Sequence, residues 1–169
     1  MSIRVLALPV LAAALTLSAC ATAPGPGAGF NAASTAFNAA DFDWSARAGT
    51  ASIQGRVAYR REGQVFDCTG SVALTPDTPY TRARFMTLYG STTQAAIPEA
   101  VVRARTVPDP NADYRSFVRS QTCQNGSFQF DGLPDGSWFL ITPVSAGGDR
   151  IVLMRRVETR AGRVANITL

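Results

Sequence analysis

Residues 126–140 read Gly126-Ser127-Phe128-Gln129-Phe130-Asp131-Gly132-Leu133-Pro134-Asp135-Gly136-Ser137-Trp138-Phe139-Leu140, and this stretch decides how the rest of the chain is read. Phe128 and Phe130 are two residues apart, so an extended strand points both rings to one face. Gly132 to Gly136 supply the turn chemistry of a hairpin corner, after which Trp138 and Leu140 re-enter the core with the same period of two.

The same period runs outward in both directions. Ile53, Gly55, Val57 and Tyr59 alternate with Gln54, Arg56, Ala58 and Arg60, the pattern of a half-buried strand. Arg61-Glu62-Gly63 turns the chain, and Gln64 to Cys68 is expected to return antiparallel. Val72 and Leu74 mark a short strand stopped by Pro76, and Val102 and Ala104 facing away from Arg103 and Arg105 predict another with one wet face. Further strands are expected at Ser116–Thr122, Ser127–Phe130, Ser137–Val144, Ile151–Val157 and Val164–Leu169, separated by turns such as Asn125-Gly126 and Gly147-Gly148. One segment is helical instead. Thr78 is placed to N-cap it, Pro79 suits its first position and Gly90 its end, with Phe85, Leu88 and Tyr89 on one stripe against the sheet.

The 126–140 stretch resembles the hallmark of carboxypeptidase regulatory-like domains, G-x-F-x-F-x-x-L-P-x-G-x-aromatic, and Ile53-Gln54-Gly55-Arg56-Val57 also suits that family. The resemblance extends over residues 51–169 and implies a transthyretin-like sandwich. Its longer crossover between Cys68 and Gly90 departs from the simplest members and leaves the strand order open. The expected fold is therefore all-β: an antiparallel β-sandwich of about seven to eight strands with one short helix. Such a sandwich is used as spacer, docking and recognition module alike, so the fold does not name a function.

The N-terminal region predicts export. Arg4 gives a positive start, and the apolar run from Val5 to Leu17 is thirteen residues, about 20 Å as a helix against a hydrocarbon core of about 30 Å. It is too short to span and reads as the apolar region of a signal peptide. Leu17-Ser18-Ala19-Cys20 resembles the bacterial lipobox, which implies cleavage after Ala19 and a lipid, including an acyl chain such as palmitate, on Cys20. An ordinary secretory signal with a chance cysteine is the alternative. Ala21 in place of Asp resembles outer-membrane sorting in Gram-negative envelopes. The expected organisation is a signal peptide at 1–19, a lipidated tether at 20–50 and the sandwich domain at 51–169. Pro24, Pro26, Gly25, Gly27 and Gly29 suit a tether, whereas Phe30, Phe37, Phe42 and Trp44 do not and are expected to dock on the domain.

Composition excludes much chemistry. The chain has no histidine and no lysine, so the commonest general base, metal ligand and Schiff-base nucleophile are missing. No G-x-S-x-G occurs, and Ser–His or Ser–Lys pairs are impossible. The iron ligands of the intradiol dioxygenases, which share a related sandwich, include histidines that this chain lacks. Asp109-Pro110-Asn111-Ala112-Asp113 opens like a calcium loop, but Tyr114 stands where glycine is needed and Ser120 where glutamate is needed. No cofactor and no metal are expected. The net charge of +4 is spread along the chain, so no nucleic-acid partner is expected either.

With Cys20 committed to lipid, Cys68 and Cys123 form an even pair in an oxidising compartment and are expected to be disulfide-bonded, two buried thiols being the alternative. Tyr80, Arg82, Arg84 and Tyr89 on the helical crossover have the composition of a protein-binding surface, unless Tyr89 is core and both arginines are merely solvated. The reading is a non-catalytic, lipid-anchored envelope protein, held to the outer membrane through Cys20 and facing the periplasm, that acts as a structural accessory or binds an envelope protein partner. A glycan-binding module is the alternative, and an enzyme using carboxylates only is a third.

Overall fold

The computed structural model describes residues 35–68, 70–107, 111 and 113–169. The predicted export signal, Cys20 and Phe30 lie outside them, as do Asp109, Pro110 and Ala112 of the calcium-like stretch.

The fold is an all-β sandwich of two unequal sheets. The smaller has three strands in the order β11 (Val164–Thr168), β1 (Ala51–Arg56), β8 (Ser127–Leu133). The larger runs β6 (Gln94–Pro98), β10 (Asp149–Thr159), β9 (Gly136–Ala146), β5 (Ser71–Pro76), β7 (Arg119–Thr122), with β4 (Asp67–Cys68) beside β9 as well. β2 (Arg60–Arg61) and β3 (Gln64–Val65) make a short hairpin around Glu62-Gly63. Pairing is antiparallel except between β1 and β11, which run parallel, with Ser52 opposite Val164 and Arg56 opposite Thr168. A parallel pair needs a long crossover, and here nearly the whole domain intervenes.

The core follows the predicted alternation. Ile53, Phe128, Phe130, Leu133, Val72, Leu74, Trp138, Leu140 and Val157 meet between the sheets. Gly55 has its Cα against the Phe128 ring, where a Cβ would sit 1.9 Å from a ring carbon, so only glycine permits this packing. The Trp138 indole N–H donates to Thr159 Oγ1 at 3.0 Å, which removes the penalty of burying it.

The Gly132 to Gly136 corner differs from the expected hairpin. β8 and β9 belong to different sheets, so the corner carries the chain across the sandwich and Phe128 faces Trp138 through the core. The predicted helix is present as α1 (Pro79–Tyr89). Thr78 and Thr81 cap it reciprocally, and Gly90 closes it in the left-handed conformation at φ 70°. Phe85, Leu88 and Tyr89 pack on Phe139, Val152 and Met154, covering the outer face of the large sheet.

Two expectations are corrected, and one strand is added to those expected. Residues around Val102 and Ala104 are helical, α2 (Glu99–Ala104), because Glu99 and Arg103 pair one turn apart and local hydrogen bonds outcompete an alternation only four residues long. The predicted strand over Ser116–Thr122 begins at Arg119, since residues Asp113–Phe117 form a 3₁₀ helix. β6 was not anticipated: its alanines give little strand signal, and it is an edge strand, where Pro98 is tolerated.

The folded body also starts before the expected boundary at residue 51. Residues Ala39–Ala46 form a 3₁₀ helix whose Phe42 is fully buried, stacked on Phe117 with centroids 4.7 Å apart. Phe37 packs on Phe42 and edge-on against Tyr80, and Trp44 packs on Trp138, so these aromatics dock on the sandwich.

Candidate functional site

The surface read from the crossover is largely interior. Tyr80 and Tyr89 are buried, Tyr80 against Phe37 and Tyr114 and Tyr89 against Phe85. Arg82 grips Asp77 through Nε at 3.0 Å and Nη2 at 2.9 Å. Arg84 lies 4.9 Å over the Tyr114 ring and donates to the Tyr80 hydroxyl at 3.4 Å. The four residues share one helix but not one exposed face. What they build is a clamp. The Asp77 carboxylate, with no exposed surface, also accepts from Arg156 Nε on β10 at 2.6 Å, tying α1 to the sheet. Burial pushes the Tyr89 hydroxyl up to about 12, with nearby Tyr114 adding to the rise and Arg84 opposing it. The Arg103 guanidinium, joined by Arg150, holds Glu99 below the usual carboxylate range.

Cys68 and Cys123 are disulfide-bonded, with Cα atoms 6.1 Å apart. Cys68 ends β4 and Cys123 follows β7, so the bond staples one margin of the large sheet. Among the described residues no group of three Cys, Asp or Glu is placed to hold a metal ion.

The polar, accessible surface lies on the other side of the molecule. Because Ile53, Phe128, Phe130 and Ile167 point inward, the alternate residues of the small sheet point out. Register then sets them in rows. Asn166, Gln54 and Gln129 stand side by side across β11, β1 and β8, and Thr168, Arg56 and Ser127 form the next row. All six are exposed. Neighbouring strands are about 4.8 Å apart and residues two along a strand about 6.7 Å apart, so the rows form a grid of hydrogen-bonding groups. They line a shallow cleft of about 520 Å³. Gln129 Nε2 donates to both oxygens of Asp131 at 2.8 Å, which fixes its amide and leaves the carbonyl end for another partner.

A second groove, of about 450 Å³, lies on the other side of β11, where the small sheet leaves the inner face of β10 and β6 uncovered. Leu153, Ala96, Tyr59 and Arg155 are among the residues that line it. Arg155 Nη1 donates to the Thr168 carbonyl at 2.8 Å, and Thr168 lines both hollows.

The fold has a solved counterpart. The chain is similar to a crystal structure of a Pseudomonas aeruginosa protein assigned provisionally as carbohydrate-binding, at a TM-score of 0.55 over 79% of this chain and 97% of that one. Identity between the two is 20%, so the likeness is one of fold. No family model matches the chain, and no curated protein sequence matches it.

Gln54 and Arg56 were legible in the sequence as the wet side of an alternating strand. Gln129, Ser127, Asn166 and Thr168 were not singled out as site residues. Only the pairing of β1 with strands far away in sequence brings them together.

Proposed function

We propose that this chain is a lipid-anchored protein of the cell envelope whose sandwich is a non-catalytic glycan-binding module. The observation that carries this reading is the grid on the small sheet. Gln54, Asn166 and Arg56 are exposed, adjacent, and make no side-chain hydrogen bond to any described residue. Amides donate and accept at once, which is what a sugar hydroxyl, itself donor and acceptor, requires. A flat face with such groups at fixed spacing can engage successive hydroxyls with little loss of side-chain freedom.

The fold likeness to a protein provisionally assigned as carbohydrate-binding supports the same reading. The burial of Tyr80 and Tyr89 favours the small sheet over the crossover as the binding face. Anchoring rests on the Leu17-Ser18-Ala19-Cys20 motif, and outer-membrane sorting on Ala21.

Two measurements test the proposal. An intact mass of membrane-extracted protein is expected to show lipid on a chain beginning at Cys20; an unmodified chain beginning elsewhere removes the anchor. Capture of the sandwich by immobilised glycans and isolated peptidoglycan is expected to be lost in a Gln54→Ala/Asn166→Ala variant that melts like the parent. Capture unchanged by that variant would move the site off this face.

A further inference from the structure

The two hollows beside β11 meet at Thr168, and each is lined by one arginine without an ion pair. Arg56 stands next to Thr168 in its row on the outer face, in register across β1 and β11. Arg155 reaches the carbonyl of the same residue from the groove side at 2.8 Å. Both guanidiniums are on exposed residues, and neither joins a carboxylate. Arg61, Arg103, Arg150 and Arg160 do so, whereas Arg47, Arg60, Arg105, Arg115 and Arg163 are exposed and also join no carboxylate; what sets Arg56 and Arg155 apart is their meeting at Thr168 beside two amides. The nearest acid on the outer face, Asp131, lies on β8 and is occupied by Gln129. The end of β11 therefore carries two guanidiniums that join no carboxylate side chain among the described residues, flanked by the amides of Gln54 and Asn166.

We infer that the ligand is an anionic glycan, one of whose carboxylates is received by Arg56, with Arg155 adding to the field, while Gln54 and Asn166 take its hydroxyls. This rests on the glycan reading above and narrows it to a class. A guanidinium offers planar paired donors that match a carboxylate, whereas a neutral sugar needs no unpaired charge at this point. Because both arginines are exposed, their contribution is screened by salt.

The test is titration of the lipid-free sandwich, residues 35–169, with an oligogalacturonate, with its methyl ester, which keeps the backbone and removes the charge, and with neutral chitin oligomers. A cooperative melt checks that these residues fold without the segment that precedes them. The acid form is expected to bind about tenfold more tightly than its ester, and raising the ionic strength removes the difference. Arg56→Gln, an exposed position, is expected to abolish that preference while leaving the melt unchanged. Equal binding of acid and ester, or a preference untouched by Arg56→Gln, overturns the anionic class and leaves the glycan reading in place. Binding of chitin oligomers alone does the same. A sulfated oligosaccharide bound in preference to the uronate would assign the site to sulfate rather than carboxylate and overturn the carboxylate assignment. Failure of every oligosaccharide, with folded protein, overturns both readings.

Discussion

The indole of Trp44 packs edge-on against that of Trp138, ring centroids 4.8 Å apart, so a residue before the first strand contributes to the centre of the sandwich. Gly136 makes this possible, since a Cβ there would lie 2.1 Å from the Trp44 ring. Trp44→Ala is expected to destabilise the domain by about 2–3 kcal/mol, below the full cost of a buried tryptophan because Trp44 is half-buried. Chemical denaturation checks it, and a deletion starting the chain at Ala51 is expected to cost more, because it also removes Phe42.

Loss of the Asp77 carboxylate frees two arginines at once. Asp77→Ala is expected to cost about 2–3 kcal/mol, since Arg82 and Arg156 retain enough exposure to recover some solvation. Hydrogen exchange should show α1 loosening more than β1, because Arg82 is the helix's tie to the sheet.

Alkaline stability follows from Tyr89. Its hydroxyl titrates at about 12 in the folded protein, against about 10 when unfolded. The folded state thus holds its proton longer, and the stabilisation is complete below pH of about 10 and lost as pH rises towards about 12. The loss amounts to roughly 2–3 kcal/mol, and Tyr89→Phe is expected to flatten the corresponding stretch of the stability curve. A variant as alkali-sensitive as the parent would assign the effect elsewhere.

Reduction or Cys68→Ser/Cys123→Ser is expected to cost up to about 4 kcal/mol, the chain-entropy value for the 55-residue separation. Thiol titration of denatured, unreduced protein should find neither cysteine free.

Gly55→Ala forces the Phe128 ring from its place and is expected to cost about 1–3 kcal/mol. Because the ring lies beneath the outer rows, this variant is also expected to weaken glycan capture without altering any exposed side chain.

The parts of the fold that were legible are those that local physics fixes. The alternation at Phe128 and Phe130 and at Trp138 and Leu140 marks two faces of the core, and Thr78, Pro79 and Gly90 bound α1 by capping chemistry. α2 departs from the expected strand because an alternation of four residues is too short to fix a period, while the Glu99–Arg103 pair one turn apart carries the helical signal. The parallel pairing of β1 with β11 and the place of β6 at the sheet edge depend on contacts between distant segments, which leave no local trace. The same holds for the candidate site. Gln54 and Arg56 were visibly wet, but nothing in the sequence announces that Asn166 will stand beside Gln54.

That separation also sets a schedule. Ser52 and Val164 must find each other across almost the whole domain, and such distant pairings form late because the loop they close is long. A chain folding from its N-terminus has β1 available early but cannot complete the face that Gln54 shares with Asn166 until β11 arrives. An unfinished molecule therefore lacks this face, and the proposed glycan recognition would be withheld until folding is complete.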